Sequence, residues 1–150
     1  MILYLDASAL VKLIVKEANA DVATGWFEGA GLVASSVVTY PESCAALERN
    51  DRRRGESPSR LGKWLIDLDE YWQDVMRVPV AEWTAGRLAI SHHLRGMDAV
   101  QLAAAVTLRE RLRAGAADST PGEVVFATFD RELLEAAERE GFATLGRPLE

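Results

Sequence analysis

The sequence predicts an α/β fold built on a parallel sheet. Residues 2–5, 32–35 and 124–128 are predominantly apolar runs without polar alternation, which is typical of strands buried on both faces of a parallel sheet. The segments between these runs carry apolar residues at helical spacing. This order of elements indicates parallel strands joined by right-handed helical crossovers.

The weaker segments complete the predicted element order. Residues 75–80, interrupted by Pro79, and residues 141–145 are predicted to contain short strands. Helices are predicted from residue 9, over 22–28, from 39 to about 54, from 57 through 68, over 82–94, from 98 through 108 and over 131–140. In the helix at 82–94 we expect Trp83, Leu88 and Ile90 to point inward. Residues 114–122, rich in glycine and small residues, are expected to form an exposed connection.

Length and composition limit the class of protein. A chain of 150 residues fits one domain, so we expect a single domain over residues 1–150. The one cysteine, Cys44, excludes an internal disulfide and paired-cysteine metal clusters, which favours a reducing compartment such as the cytoplasm. We expect neither a signal peptide nor a membrane span, because no basic leader precedes the first strand and no apolar run approaches ~20 residues.

Net charge limits the possible partners. The formal charge of -6 argues against a protein that coats nucleic acid nonspecifically, because such proteins need a basic face. It is compatible with a nucleic-acid enzyme in which part of the negative charge is gathered in a site for metal cations.

Four acidic residues stand at equivalent places in the predicted fold. Asp6 follows the first strand, Glu42 lies in the first turn after the second, Asp98 opens an interior helix, and Asp130 follows the strand at 124–128. The carboxyl ends of parallel strands meet at one edge of the sheet, where ligands bind. Carboxylates gathered there repel one another unless a cation is bound. Mg²⁺ and Mn²⁺ prefer oxygen ligands, so the pattern predicts a site for one of these ions.

Each acid also has an explanation as a helix-start residue. Ser8 is well placed to cap the first helix, and Asp6 lies beside it. Thr39 and Glu42 have the spacing of a capping box, and Asp98 can serve as a plain N-cap. Capping does not predict that all four acids share one edge of the sheet.

Four segments, in order along the chain, carry a family pattern. They are residues 5–12 (LDASALVK), 41–42 (PE), 94–103 (LRGMDAVQLA) and 127–130 (ATFD). Together they resemble the PIN-domain ribonucleases, in particular the VapC-type toxins of bacterial toxin–antitoxin pairs. The most specific piece is Leu-Arg-x-x-Asp-Ala-x-x-Leu-Ala, which contains Asp98.

The resemblance implies a fold, an activity and partners. It implies a three-layer α/β/α fold with a parallel sheet of about five strands, and hydrolytic cleavage of RNA with Mg²⁺ or Mn²⁺. It further implies an antitoxin that blocks the site, and a homodimer. Trp26 and Phe27 are candidates for the dimer interface, and the alternative is that they pack in the core. The implied metal site consists of Asp6, Glu42, Asp98 and Asp130. The hydroxyls of Ser8 and Thr128 would hold metal, water or neighbouring carboxylates.

Basic residues on two predicted helices are candidates for contacts with RNA phosphates. Arg49 and Arg53 follow Glu42 by seven and eleven positions, so they share its face of a continuous helix. Lys12 likewise lies on the same face of its predicted helix as Ser8. The alternative is an ordinary solvated face. Gln101 lies one turn after Asp98 and either faces the cleft or packs inside the fold.

Two other functions compete with an RNA-cleaving toxin. A Mg²⁺-binding phosphoacceptor module of a signalling system also has a five-stranded parallel sheet with acidic strand ends. It needs a lysine after the last strand, and no lysine follows Lys63. The other alternative is a catalytically silent PIN-like protein that binds only RNA or a partner, which the presence of all four acids disfavours.

Overall fold

A computed structural model describes residues 1–115 and 122–146 of the chain. The strands in the described part are β1 (Ile2–Leu5), β2 (Leu32–Ser36), β3 (Val75–Val78), β4 (Val124–Ala127) and β5 (Ala143–Leu145). The helices there are α1 (Ala7–Ile14), α2 (Ala20–Gly29), α3 (Thr39–Arg54), α4 (Leu61–Gln73), α5 (Glu82–His92), α6 (Gly96–Gly115) and α7 (Arg131–Arg139). No helix of the described ranges has the length and apolar character that crossing a membrane requires.

The five strands form one parallel sheet in the order β3-β2-β1-β4-β5. The central strand is β1, in which Tyr4 pairs with Ala34 of β2 on one side and with Phe126 of β4 on the other. The chain builds outward from β1 through β2 to β3 and then returns to the opposite side of β1. The strand order therefore reverses between β1 and β4, which is where open α/β sheets form a ligand-binding crevice.

Helices cover both faces of the sheet, as predicted. Alternate residues of β1 point to opposite sides, so Tyr4 joins the apolar cluster beneath α5, α6 and α7. Leu3 and Leu5 join the cluster beneath α1 to α4, which includes Leu10, Leu47, Trp64 and Leu68. The three-layer α/β/α architecture is confirmed. Trp26 and Phe27 are half-buried against the second cluster, where Trp26 stacks on Phe129 and Phe27 meets Tyr71 edge to face.

Three predicted helix caps are wrong. Asp98 is not an N-cap, because α6 begins at Gly96 and Asp98 lies within its first turn. Helix α1 begins at Ala7, and its N-cap is Asp6, which accepts a hydrogen bond from the Ala9 amide; Ser8 already lies inside the helix. Helix α3 begins at Thr39 after Val38, without a side-chain cap. The capping box of Thr39 and Glu42 is absent because the Thr39 hydroxyl is fully buried and bonds to Gln101 instead.

The predicted orientation of α5 is only partly correct. Ala85 and Leu88 face the core, whereas Trp83 is 77% exposed and Ile90 79% exposed. Residues two positions apart on a helix diverge by about 200°, so Trp83 and Ile90 lie opposite the face that packs on α6. The connection predicted over 114–122 is wrong at its start, because α6 continues to Gly115. Its central residues, 116–121, lie outside the described residues.

Candidate active site

Three of the four predicted acids line a single cleft of about 860 Å³. Glu42 comes from the first turn of α3, Asp98 from the first turn of α6, and Asp130 from the start of α7. Ala7 and Ser8, which follow β1, form part of the same wall. The cleft therefore lies at the carboxyl edge of the sheet, beside the reversal of strand order between β1 and β4.

Asp6 lies beneath this wall and is only 5% exposed. Its Oδ1 accepts hydrogen bonds from the Ser8 hydroxyl at 2.7 Å and from the Ala9 amide at 3.1 Å. Its Oδ2 accepts a bond from the Thr128 hydroxyl at 2.8 Å. Both hydroxyls that the sequence associated with the site thus hold the neighbouring carboxylate of Asp6.

The same hydroxyls join the ends of β1 and β4. Ser8 Oγ accepts a hydrogen bond from the Phe129 amide at 2.9 Å, and Thr128 Oγ1 accepts one from the Asp130 amide at 3.0 Å. Asp130 caps α7 by accepting a bond from the Leu133 amide at 2.9 Å. These bonds fix the position of Asp130 relative to Asp6 through backbone groups, which are less mobile than side chains.

Burial, assisted by neighbouring carboxylates, raises the pKa values of Asp6, Glu42 and Asp98. Burial raises the pKa of Asp6 from 3.8 to about 6, and the charge of Asp130 contributes in the same direction. Burial raises the pKa of Glu42, with further contributions from Asp6 and Asp98. Burial also raises the pKa of Asp98, assisted by Asp130 and opposed by Arg95. The ionised forms of these three carboxylates are therefore disfavoured in the cleft, and a nearby cation would favour them.

No ready-made metal cluster is present in the part of the chain that the structure describes. No three Asp, Glu, His or Cys side chains there come close enough together to hold one ion. The candidate metal ligands around the cleft are nevertheless all carboxylate oxygen atoms, which suits Mg²⁺ or Mn²⁺. Mg²⁺ usually keeps several waters and takes only one or two carboxylates, so the chemistry of these residues fits such an ion.

The predicted basic residues differ in their relation to the cleft. Lys12 and Arg49 line it, and so does Arg95, which the sequence reasoning overlooked. Lys12 is engaged by Glu17 at 3.6 Å and lies 5.8 Å from the centre of the Phe129 ring. Arg49 is exposed and forms no ion pair with any residue in the described ranges. Arg53 is exposed and does not line the cleft.

Gly146, near the end of the described chain, lets the backbone pass close to Thr128. The sequence does not predict this contact. Gly146 has φ +122°, and a Cβ atom there would lie 1.7 Å from the Thr128 carbonyl oxygen. The Thr128 amide also donates to the Leu145 carbonyl at 3.1 Å. In the sequence, the only signal for this contact is that Gly146 directly follows β5. A lone glycine after a strand does not predict contact with a residue 18 positions earlier.

Comparison with known sequences relates these features to a family. The sequence profile of the PIN domain matches residues 3–139, which include all four acids. The chain belongs to the PIN domain family. Two similar proteins are ribonuclease VapC45 and ribonuclease VapC49 from two strains of Mycobacterium tuberculosis, each 35% identical to this PIN domain over 143 residues, covering 93% of this chain and 92% of theirs. The predicted resemblance to VapC-type PIN domains is confirmed.

Solved structures support the fold of this PIN domain. The crystal structure of PAE2754 from Pyrobaculum aerophilum superposes with a TM-score of 0.68 at 20% identity, covering 96% of this chain and 83% of that one. The crystal structure of VapBC2 from Rickettsia felis, bound to a DNA fragment from their promoter, gives a TM-score of 0.61 at 11% identity, covering 97% of this chain and 98% of that one. At these identities the likeness concerns the fold alone.

Proposed function

We propose that this PIN domain is an endoribonuclease that hydrolyses RNA phosphodiester bonds with the help of Mg²⁺ or Mn²⁺, and that it is the toxin of a type II toxin–antitoxin pair. The observation that carries this proposal is the placement of Glu42, Asp98 and Asp130, from three separate segments, on one cleft with Asp6 directly beneath. The 35% identity to two ribonucleases named VapC supports the same activity.

The acids would hold the cation and keep it at the cleft. Asp98 and Glu42 are half-buried, and Asp130 is tied to the backbone of α7, so each carboxylate presents oxygen from a rigid element. A divalent cation bound there activates water and stabilises negative charge on the phosphodiester. Asp6 contributes negative charge from below, and the hydroxyls of Ser8 and Thr128 keep it oriented.

The basic residues on the rim would hold the RNA strand. Arg49 and Arg95 lie on the cleft with the acids, so they are placed to contact phosphates next to the one that is cleaved. Lys12 is partly occupied by Glu17 and would contribute less. Val11, Ala46 and Met97 supply apolar surface beside these charges.

The partners follow from the same proposal. We propose that an antitoxin protein binds over the cleft and that residues 1–150 act as one domain in a homodimer in the cytoplasm. The 35% identity to two ribonucleases named VapC supports the first of these statements, because the resemblance to VapC-type toxins implies an antitoxin. Membership of the PIN family favours this function over a phosphoacceptor module.

Cleavage of a labelled RNA by the purified protein tests the proposal. We expect cleavage that stops with EDTA and returns with Mg²⁺ or Mn²⁺, and that Asp98→Asn abolishes without unfolding the protein. Asp21→Asn, which changes an exposed acid in the first turn of α2, is the matched control and should cleave normally. Full cleavage by Asp98→Asn, prepared in parallel, would reject the proposal, because the activity would then not depend on the acids of the cleft. No cleavage by the wild type at any Mg²⁺ or Mn²⁺ concentration would instead favour a catalytically silent RNA-binding or partner-binding protein.

A further inference from the structure

A chain of hydrogen bonds runs from the centre of the sheet to Glu42. Tyr4 in β1 is fully buried, and its hydroxyl donates to Oε1 of Gln101 in α6 at 2.6 Å. Gln101 is 1% exposed, and its Nε2 donates to Oγ1 of Thr39 at 2.8 Å and to Oε2 of Glu42 at 3.4 Å. The chain of bonds therefore connects β1, α6 and α3 behind the wall of the cleft.

Tyr4 determines which end of the Gln101 amide faces Glu42. The backbone amide of Ser36 donates to the Tyr4 hydroxyl at 3.1 Å, so the proton of that hydroxyl is directed to a different acceptor. That acceptor is Oε1 of Gln101. Nε2, which carries two donors, must then point toward Thr39 and Glu42.

The network leaves one oxygen of Glu42 available. Oε2 accepts the bond from Gln101, whereas Oε1 receives no hydrogen bond from the described residues. Glu42 lines the cleft. A buried amide whose donors and acceptor are all engaged has one low-energy arrangement, so the carboxylate it contacts is held in one orientation as well.

We propose that Gln101 is a positioning residue for Glu42: its amide holds Oε2, so that Oε1 is presented to the cleft, and Tyr4 fixes the direction of that amide. Gln101 does not touch the substrate in this role. Its effect on RNA cleavage rests on the proposed function, whereas its effect on cation binding at Glu42 can be measured independently.

The test compares variants that keep the volume of the side chain. Gln101→Met keeps a side chain of similar length but removes the donor to Glu42 and the acceptor for Tyr4. Gln101→Glu keeps the shape and the acceptor, but it places an oxygen where the donor to Glu42 was. Ser43→Ala is the matched control, because the Ser43 hydroxyl is buried beside Glu42 in α3 and has no hydrogen-bond partner among the described residues.

We expect Gln101→Met to lower kcat for RNA cleavage at least about tenfold with KM nearly unchanged, the factor that one hydrogen bond to a charged group contributes. Gln101→Glu should lower kcat at least as much. Mn²⁺ affinity, measured by electron paramagnetic resonance of the free ion, should fall in Gln101→Met. Ser43→Ala should leave both quantities unchanged, and thermal unfolding of each variant identifies any that fails to fold.

A double-mutant cycle separates positioning from a general structural role. If Gln101 acts through Glu42, Gln101→Met lowers Mn²⁺ affinity in the wild type but changes it less than about twofold in a Glu42→Ala background. Equal losses in the two backgrounds would overturn the positioning role, and so would wild-type kcat and Mn²⁺ affinity in a folded Gln101→Met or Gln101→Glu protein. If the wild type binds Mn²⁺ but cleaves no RNA, the proposed function fails and the Mn²⁺ cycle still decides the role of Gln101.

Discussion

The hydroxyl of Thr128 lies 2.8 Å from Oδ2 of Asp6, although 122 positions separate the two residues in the chain. This bond joins the ends of β1 and β4 at the point where the strand order reverses. It brings together a carboxylate that needs donors and a buried hydroxyl that needs an acceptor. The orientation of the buried acid of the candidate active site therefore depends on β4 as much as on its own strand.

Removal of the Thr128 hydroxyl should impair the site without changing its shape. Thr128→Val has the same volume but leaves Asp6 without one donor and the Asp130 amide without its acceptor. We expect kcat for RNA cleavage to fall about tenfold and the pKa of Asp6 to rise further. Thr128→Ser retains the hydroxyl and should stay close to wild type. Wild-type cleavage by Thr128→Val would show that the hydroxyl is dispensable.

Asp6 should make the metal-free protein less stable as the pH rises. The ordinary pKa of an aspartate, which applies to the unfolded chain, is 3.8, whereas the pKa of Asp6 in the folded protein is about 6. Between these pH values the folded state binds more protons than the unfolded state, so the free energy of unfolding falls as the pH increases and is constant above pH 6. The total loss is on the order of 3 kcal/mol. The raised pKa values of Glu42 and Asp98 act in the same direction.

Asp6→Asn should remove much of this pH dependence. Asparagine caps helices as well as aspartate does, so α1 should keep its N-cap. In EDTA at pH 7 we expect the variant to be more stable than the wild type by up to about 3 kcal/mol, measured by urea unfolding at pH 4, 5.5 and 7. Asp21→Asn is the control for an exposed acid. A fall with pH in Asp6→Asn as steep as that of the wild type, or steeper, would contradict the raised pKa of Asp6.

Gly146 should tolerate no side chain. A Cβ atom there would collide with the Thr128 carbonyl at 1.7 Å, and φ is +122°. We expect Gly146→Ala to lower the free energy of unfolding by more than about 2 kcal/mol and to reduce RNA cleavage through Thr128. Gly86 in α5 has no atom near its Cβ position, so Gly86→Ala should instead stabilise by up to about 1 kcal/mol. Thermal unfolding compares the two, and a harmless Gly146→Ala would contradict the packing argument.

Arg49 and Arg53 offer a matched pair for RNA binding. They are one helical turn apart on α3 and both exposed, but only Arg49 lines the cleft. We expect Arg49→Ala to raise KM for RNA about threefold to tenfold and to weaken its dependence on salt, because one phosphate contact is lost. Arg53→Ala should change KM less than about twofold. Equal effects would indicate a diffuse basic surface instead of a defined contact.

Much of the fold and of the candidate site follows from patterns that are local in the sequence. The buried strands appear as short apolar runs, and the helices appear through their spacing and their breaks. The four acids could be assigned to one edge because parallel strands place their carboxyl ends together. Prediction failed where two local explanations competed, as with Ser8 and Asp6 for the cap of α1, since both residues are good caps and only the strand geometry selects Asp6.

The sequence by itself determined the class of fold, the set of acids and the family pattern, because these depend on residue type and spacing. Only the tertiary structure decided which groups meet. It buried Asp6 below the cleft and directed the Ser8 and Thr128 hydroxyls to it. It also turned Gln101 toward Tyr4 and Glu42 and set Gly146 against Thr128. Such contacts join residues distant in the chain, and they arise from close packing of the whole domain, which no local pattern encodes.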